Sequence, residues 1–103
     1  MYLIGDIGNT DIKICLFNKN CKVVKKLTFK TNLISNKYLD LNLNFLNKYS
    51  SKINIILFSS VVPPVYSVIK KFFKKKIKQK CIELKQINLN KLVKIMVNKR
   101  QVG

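Results

Sequence analysis

The fold of this 103-residue chain is decided by the stretch Asp6-Ile7-Gly8-Asn9-Thr10-Asp11-Ile12-Lys13. A short apolar strand over residues 2–6 leads into it. Gly8-Asn9 is a turn signal, because both residues tolerate positive φ. Over residues 11–17 apolar residues alternate with others, which predicts a second strand returning beside the first. The stretch therefore predicts a β-hairpin that begins a sheet.

Outward from the hairpin, the chain is predicted to continue as an antiparallel meander. Asn18-Lys19-Asn20 is a second turn signal. A third strand follows over residues 21–29, and its apolar residues are Val23, Val24, Leu27 and Phe29. Strands that are joined by short turns pair with their neighbours in sequence, so we expect three adjacent antiparallel strands.

A helix and a buried strand are expected after the meander. Ser35 is placed to cap a helix over residues 36–49, in which Leu39, Leu43 and Leu46 recur at helical spacing. Residues 53–58 form a run that is apolar except at Asn54 and rich in isoleucine. Such a run is typical of a strand that is buried on both faces.

A second helix and further strands complete the predicted fold. Pro63 and Pro64 suit the first turn of a helix, where a missing N–H costs nothing. The apolar stripe of this helix is Val65, Val68, Ile69, Phe72, Phe73 and Ile77, and lysines take its other face. Residues 80–84 are a short strand candidate, and residues 93–97 are a strand or an extended loop. The order β-β-β-α-β-α-β predicts a mixed α/β sheet in which an antiparallel three-strand meander is extended through crossover helices.

The side chains of the hairpin are of the types that hold a phosphate. Asp6 ends a buried strand, where a carboxylate is costly unless it meets a cation, and hydrated Mg²⁺ is a suitable partner. Gly8 has no Cβ, so a phosphate can approach the backbone closely. Asn9 and Thr10 add short polar side chains beside turn amides, and Lys13 supplies a point charge. Spacing alone also allows an ordinary hairpin with a solvated lysine.

The net charge of +17 raises the alternative of a small basic nucleic-acid-binding module. The 21 basic residues include one arginine, Arg100, whereas proteins that read bases favour arginine because of its planar fork. An excess of Lys, Asn and Ile is what an AT-rich genome imposes on any protein. We therefore expect a solvated basic surface and no nucleic-acid partner, with some electrostatic steering of anionic substrates.

The cysteines and the hydropathy pattern bear on the cellular compartment. Cys15, Cys21 and Cys81 form no C-x-x-C pair, and the chain has no histidine to complete a zinc site. Three reduced thiols fit a reducing compartment. No signal peptide is visible, and the uncharged run at residues 53–69 is too short and too polar for a membrane span. We expect a cytoplasmic protein with no membrane partner.

Three ordered stretches resemble the type III pantothenate kinase family. Leu3-Ile4-Gly5-Asp6-Ile7-Gly8-Asn9-Thr10-Asp11-Ile12-Lys13 is similar to the opening of these enzymes. Ser59-Ser60-Val61-Val62-Pro63-Pro64 resembles a second hallmark of the family. Asn98-Lys99-Arg100-Gln101-Val102-Gly103 resembles the family's Asn-Pro-x-x-Val-Gly stretch. The three matches span essentially the whole chain.

The resemblance implies a ribonuclease-H-like lobe of a bilobal kinase of the actin, Hsp70 and sugar kinase superfamily, over residues 1–103. It implies ATP-dependent phosphorylation of pantothenate to 4′-phosphopantothenate, the first step of coenzyme A biosynthesis. It also implies Mg²⁺, a monovalent cation (K⁺ or NH₄⁺) and a homodimer. The family's ATP-binding motif corresponds to Asp6, Ile7, Gly8, Asn9, Thr10, Asp11, Ile12 and Lys13. The resemblance also implies that Asp6 is a metal-binding residue.

The family's catalytic base is an aspartate in a Gly-x-Asp-Arg stretch that follows the Val-Gly pair. We therefore expect that aspartate after Gly103, which itself corresponds to a substrate-binding position. On this interpretation the 103 residues are an incomplete kinase lobe, inactive alone. Gly5 replaces the usual apolar residue before Asp6, which we expect to loosen the first strand. Lys99 stands at the family's proline, and residues 94–96 lack the expected substrate-contacting tyrosine. A third interpretation is the accessory transcriptional regulator role that has been described within the family.

Overall fold

The computed structural model describes residues 1–79 and 81–84. Within these residues five strands form one mixed sheet in the order β3-β2-β1-β4-β5. The elements are β1 (Tyr2–Ile7), β2 (Asp11–Phe17), β3 (Val23–Lys30), α1 (Asn36–Asn42), β4 (Ile55–Ser60), α2 (Pro63–Lys76) and β5 (Cys81–Glu83). Strand β2 runs antiparallel to β1 and β3, whereas β4 runs parallel to β1 and β5. The predicted α/β class, with a meander extended through crossover helices, is confirmed.

The hairpin at residues 8–11 is present, but its turn differs from the predicted one. The Gly8 amide donates to the Asp11 carbonyl at 2.9 Å, which places Asn9 and Thr10 at the tip. Neither Gly8 nor Asn9 has a positive φ; among the described residues only Cys21 and Lys78 do. The glycine is therefore not needed here for a left-handed backbone.

Strand β3 is at the edge of the sheet and is less buried than its sequence suggests. It begins at Val23, two residues later than predicted, because Cys21 lies in the preceding turn with φ 62°. Val23 is 56% exposed and Val24 is 39% exposed. An edge strand has a neighbour on one side alone, so apolar residues near its free end can remain in contact with solvent.

Helix α1 begins where the sequence predicts and ends earlier. The Ser35 side chain accepts a hydrogen bond from the Tyr38 amide at 3.1 Å, as expected for an N-cap. The helix ends at Asn42, and short 3₁₀ turns over Asn44–Lys48 and Ser50–Lys52 replace the rest of the predicted helix. Asparagine has poor helix propensity, and its repeated occurrence here outweighs the leucine spacing.

Helix α2 confirms the predicted amphipathic pattern. It covers Pro63–Lys76 with proline in its first turn, and its last turn is basic. Tyr66, Ile69, Phe72 and Phe73 are its buried residues. They pack against the sheet, whereas the lysines of the helix face solvent. The lysines thus form a solvated face, and near the helix C-terminus they also complement its dipole.

The main core lies between the two helices and one face of the sheet. Its strand residues are Leu3, Ile7, Ile12, Ile14, Leu16, Phe29, Ile56, Phe58 and Cys81. Its other fully or nearly buried residues include Leu39, Leu43, Leu46, Ile53, Ile69 and Phe73. The alternation of Ile12, Ile14 and Leu16 therefore correctly predicted the buried face of β2.

Gly5 belongs to this packing. A Cβ atom at Gly5 would overlap the ring of Phe58, its partner on β4. The Phe58 ring is fully buried and lies 5.8 Å from the Phe73 ring centroid to centroid. Gly5 is thus one half of a small–large pair in which the Phe58 ring fills the space of the missing side chain, and the expected loosening of β1 stays a prediction.

The other face of the sheet carries a smaller apolar cluster. Ile4, Cys15 and Phe17 are buried there, with Tyr2 and Leu57 packed against them. Strand β4 alternates between buried and partly buried residues, so its predicted burial on both faces holds for one face more fully than for the other.

The cysteines, the absence of a membrane span and the last two strands were also predicted from the sequence. The three cysteines are free thiols, with Cys15 and Cys81 buried and Cys21 partly exposed. Within residues 1–79 and 81–84, no helix has the length and hydropathy that a membrane span requires. The predicted strand at residues 80–84 appears as β5. The possible strand at residues 93–97 lies outside the described residues.

Candidate functional site

Three polar residues lie opposite one another at the end of the central strands. In the antiparallel β1–β2 pairing Asp6 lies opposite Lys13, and in the parallel β1–β4 pairing Asp6 lies opposite Ser59. Residues that are directly opposite on adjacent strands share one face of the sheet. Lys13, Asp6 and Ser59 therefore form one polar row, on the sheet face that lies away from α1 and α2.

Asp6 is partly exposed, and among the described residues its carboxylate has no hydrogen bond or ion pair and is open to solvent. Within residues 1–79 and 81–84 the ion pairs are Lys30–Asp11 and Lys76–Asp40. Lys13 is exposed and forms neither of them. A carboxylate that has no protein partner and is open to solvent can accept hydrogen bonds from the water shell of a cation. Asp6 is thus suited to meet a hydrated cation, and Lys13 to meet an anion.

The turn beside this row has an ordered backbone and an exposed tip. Asn9 and Thr10 are exposed, and Gly8 is half-buried. A Cβ on Gly8 would lie 3.1 Å from the Asp11 carbonyl oxygen, which is a tight contact. Thr31 holds the turn from the end of β3, because its hydroxyl donates to the Gly8 carbonyl at 2.8 Å and its amide to the Thr10 carbonyl at 2.9 Å.

The remaining predicted ATP-binding residues have other immediate contacts. Ile7 and Ile12 are fully buried in the main core, so their side chains support the hairpin and their backbones alone are near its surface. The Asp11 carboxylate lies 3.6 Å from the Lys30 ammonium, and both groups are well exposed. The Lys30 ammonium offsets the negative charge of Asp11 next to the turn. An anion that binds at the turn is therefore repelled less.

Sequence reasoning did not single out Ser59 or Thr31. Ser59 was part of a recognised stretch, yet its position beside Asp6 depends on a parallel pairing between residues 53 positions apart. Its neighbour Ser60 has a local role, because its hydroxyl accepts from the Val62 amide at 3.0 Å where α2 begins. Thr31 carried no sequence signal, since its hydrogen bond reaches back 23 residues.

Gly103 and the stretch at residues 98–103 lie outside the described residues. Among the residues that are described, no group of three or more His, Cys, Asp or Glu side chains could hold a metal ion. Mg²⁺ does not require such a group, because it commonly binds one or two carboxylates, several waters and the substrate phosphates. Asp6, with no protein partner in the described range, fits that mode of binding.

The fold and the polar row together define the class: an α/β domain with a carboxylate, a lysine and a tight turn at one end of its central strand. The family model of type III pantothenate kinases matches residues 2–103. The chain therefore belongs to the type III pantothenate kinase family.

Two known proteins show the extent of the similarity. The chain is 48% identical over all 103 residues to a type III pantothenate kinase of Pelagibacter ubique (strain HTCC1062), and it spans 42% of that protein's length. Among solved structures, it is similar to Lmo2764, a proposed N-acetylmannosamine kinase from Listeria monocytogenes. That likeness has a TM-score of 0.49 and 13% identity, and it covers 97% of this chain and 40% of the other.

Proposed function

We propose that this chain contributes the ATP-phosphate-binding side of an enzyme that phosphorylates pantothenate to 4′-phosphopantothenate, in coenzyme A biosynthesis. The observation that carries the proposal is the unpaired Asp6 between Lys13 and Ser59, in a chain that matches the type III pantothenate kinase family over residues 2–103. The named relative supports pantothenate as the acceptor.

Each residue of the site has a proposed task in holding ATP. The Lys13 ammonium neutralises phosphate charge, and the tip of the turn, Asn9 and Thr10, offers backbone and side-chain donors. Asp6 would hold a Mg²⁺ ion, and that ion would reduce the negative charge of the phosphates. Phosphoryl transfer depends mainly on positioning and charge neutralisation, so these groups act by orientation and electrostatics.

The base that takes the proton of the pantothenate hydroxyl is not assigned to these residues. The chain spans 42% of the curated relative that it matches, and we assign to it the phosphate side of the site. Binding of pantothenate near Gly103, a monovalent cation, a homodimer and a cytoplasmic location belong to the same proposal.

The proposal is tested with the complete gene product in a coupled assay that records ATP consumption with and without pantothenate. We expect ATP consumption that requires pantothenate and Mg²⁺, with 4′-phosphopantothenate detected by mass spectrometry. K⁺, NH₄⁺ and Na⁺ are compared at equal ionic strength, and K⁺ or NH₄⁺ is expected to give the higher rate. An absence of pantothenate-dependent turnover in all three salts contradicts the proposal.

A binding assay separates this function from the nucleic-acid alternative. A basic nucleic-acid-binding module would bind any polyanion with a steep dependence on salt and would not respond to ATP. We expect instead that Mg²⁺-ATP binds and that excess polyanion at physiological salt does not displace it.

A further inference from the structure

Thr31 is a buried polar residue that connects the end of β3 to the turn of the first hairpin. The residue is 6% exposed, and within the described residues no other buried polar or charged residue occurs. It directly follows β3 and opens the short 3₁₀ turn Thr31–Leu33. Its contacts with the 8–11 turn therefore come from outside the hairpin itself.

The two hydrogen bonds of Thr31 fix two successive parts of the turn. The hydroxyl donates to the Gly8 carbonyl at 2.8 Å, and the amide donates to the Thr10 carbonyl at 2.9 Å. The second bond continues the β2–β3 ladder by one residue, since Asp11 is paired with Lys30. Any residue except proline can make that backbone bond, whereas the bond to Gly8 requires a side-chain donor.

The side-chain bond determines where the next amide points. The described peptide bonds are trans, and in a trans peptide the C=O and the following N–H point in opposite directions. Because the Gly8 carbonyl is directed at Thr31, the Asn9 amide is directed away from it. That amide is one of the turn donors proposed to meet the ATP phosphates.

We infer that Thr31 is a positioning residue for the 8–11 turn and that its hydroxyl holds the Asn9 amide in the orientation that receives a phosphate. The inference rests on the proposed function. Asn9 and Thr10 are exposed, so the tip of the turn has little packing to order it. A turn that is ordered before ATP binds loses less entropy on binding, which improves affinity without any direct contact from Thr31.

The test compares Thr31→Ala with Thr31→Ser in the complete gene product. Both variants lose the threonine methyl group and neither adds volume, so they differ in the hydroxyl alone. Loss of one hydrogen bond corresponds to roughly a tenfold change in an equilibrium constant. We expect Thr31→Ala to raise the KM for ATP about tenfold with a smaller change in kcat and none in the KM for pantothenate. Thr31→Ser is expected to restore most of the affinity for ATP.

Amide hydrogen exchange provides a readout that does not require activity. In Thr31→Ala, exchange should accelerate at residues 8–11 and stay unchanged in α2, whereas Thr31→Ser should resemble the wild type. Equal acceleration in the turn and in α2, or complete unfolding of Thr31→Ala alone, would show a general structural role and overturn the inference. Equal KM values for ATP in the two variants also overturn it. A wild type that lacks pantothenate-dependent turnover refutes the proposed function instead, and the exchange comparison then still decides whether Thr31 orders the turn.

Discussion

The ring of Phe58 occupies the space in which a side chain on Gly5 would lie, across the β1–β4 pairing. Asp6 directly follows Gly5, and Ser59 directly follows Phe58. The Gly5–Phe58 pair is therefore the step of the β1–β4 pairing next to the polar row. The close fit between the two strands sets the backbone from which the Asp6 and Ser59 side chains project.

The Gly5–Phe58 fit predicts strong coupling between the two positions. Gly5→Ala is expected to lower the free energy of unfolding by about 1–3 kcal/mol, because its Cβ atom would overlap the fully buried Phe58 ring, which must then shift within the core. Phe58→Leu should reduce that cost, since leucine has no ring at the contact. Urea unfolding of both single variants and the double variant gives the coupling energy. Additive effects within about 0.5 kcal/mol would contradict this packing.

Lys13 is predicted to contribute to ATP binding through local charge. Lys13→Gln should raise the KM for ATP about tenfold or more, because hydrogen bonds to charged groups are among the stronger ones. Lys26→Gln is the matched control: Lys26 is exposed on the neighbouring strand, opposite Cys15, and its loss removes the same charge. Steering by the net charge of the protein would change equally in the two variants. Equal KM values in steady-state kinetics would therefore show that Lys13 has no local role.

Ser59 is predicted to support the site through its hydroxyl. Ser59→Ala should lower kcat/KM roughly threefold to tenfold, as expected for the loss of one neutral hydrogen bond. Ser67→Ala, at an exposed position on α2, should leave kcat/KM unchanged. If Ser59→Ala keeps full activity at limiting ATP, Ser59 is next to the site without contributing to it.

The buried Cys81 thiol is expected to make the folded protein less stable in alkaline solution. Burial is the main cause that raises the pKa of its thiol from 9.0 to about 12, and the Lys70 charge opposes that shift. In the unfolded chain the thiol ionises from about pH 9, whereas in the folded protein it stays neutral up to about pH 12. The stabilisation is therefore complete below pH 9 and is lost as the pH rises from 9 toward 12.

The measurement is the free energy of unfolding of the wild type and of Cys81→Ala from pH 8 to pH 11. The cavity left by alanine costs the same at every pH, so a change with pH in the difference between the two proteins reports the thiol. The stability advantage of the wild type should shrink above pH 9. A constant difference across this range would mean that Cys81 ionises equally readily in the folded state.

Local patterns in the sequence predicted much of the fold. The alternation in β2, the Ser35 cap and the apolar stripe of α2 each depend on residues within a few positions of one another, and all three are confirmed. The predicted length of α1 was wrong, because local asparagines end the helix before the last leucine of the helical pattern.

The site was less predictable, since its geometry depends on distant pairings. The hairpin motif indicated Asp6 and Lys13, and the register places them opposite each other. Ser59 reaches Asp6 through the parallel pairing of β1 and β4, and Thr31 reaches Gly8 from the far end of β3. No periodicity in the sequence reports such contacts, so they could be found in the folded chain alone.

The central claim is that Asp6 is part of the ATP site. It is tested most directly by comparing pantothenate-dependent ATP turnover in the complete gene product with that of Asp6→Asn, which has nearly the same shape and lacks the charge. Asp40→Asn is the control, because Asp40 is an exposed carboxylate on α1 that pairs with Lys76. We predict that Asp6→Asn lowers kcat/KM about 100-fold or more, with an unchanged thermal unfolding midpoint, and that Asp40→Asn stays near the wild type. Turnover near the wild-type rate in a folded Asp6→Asn protein would contradict the claim.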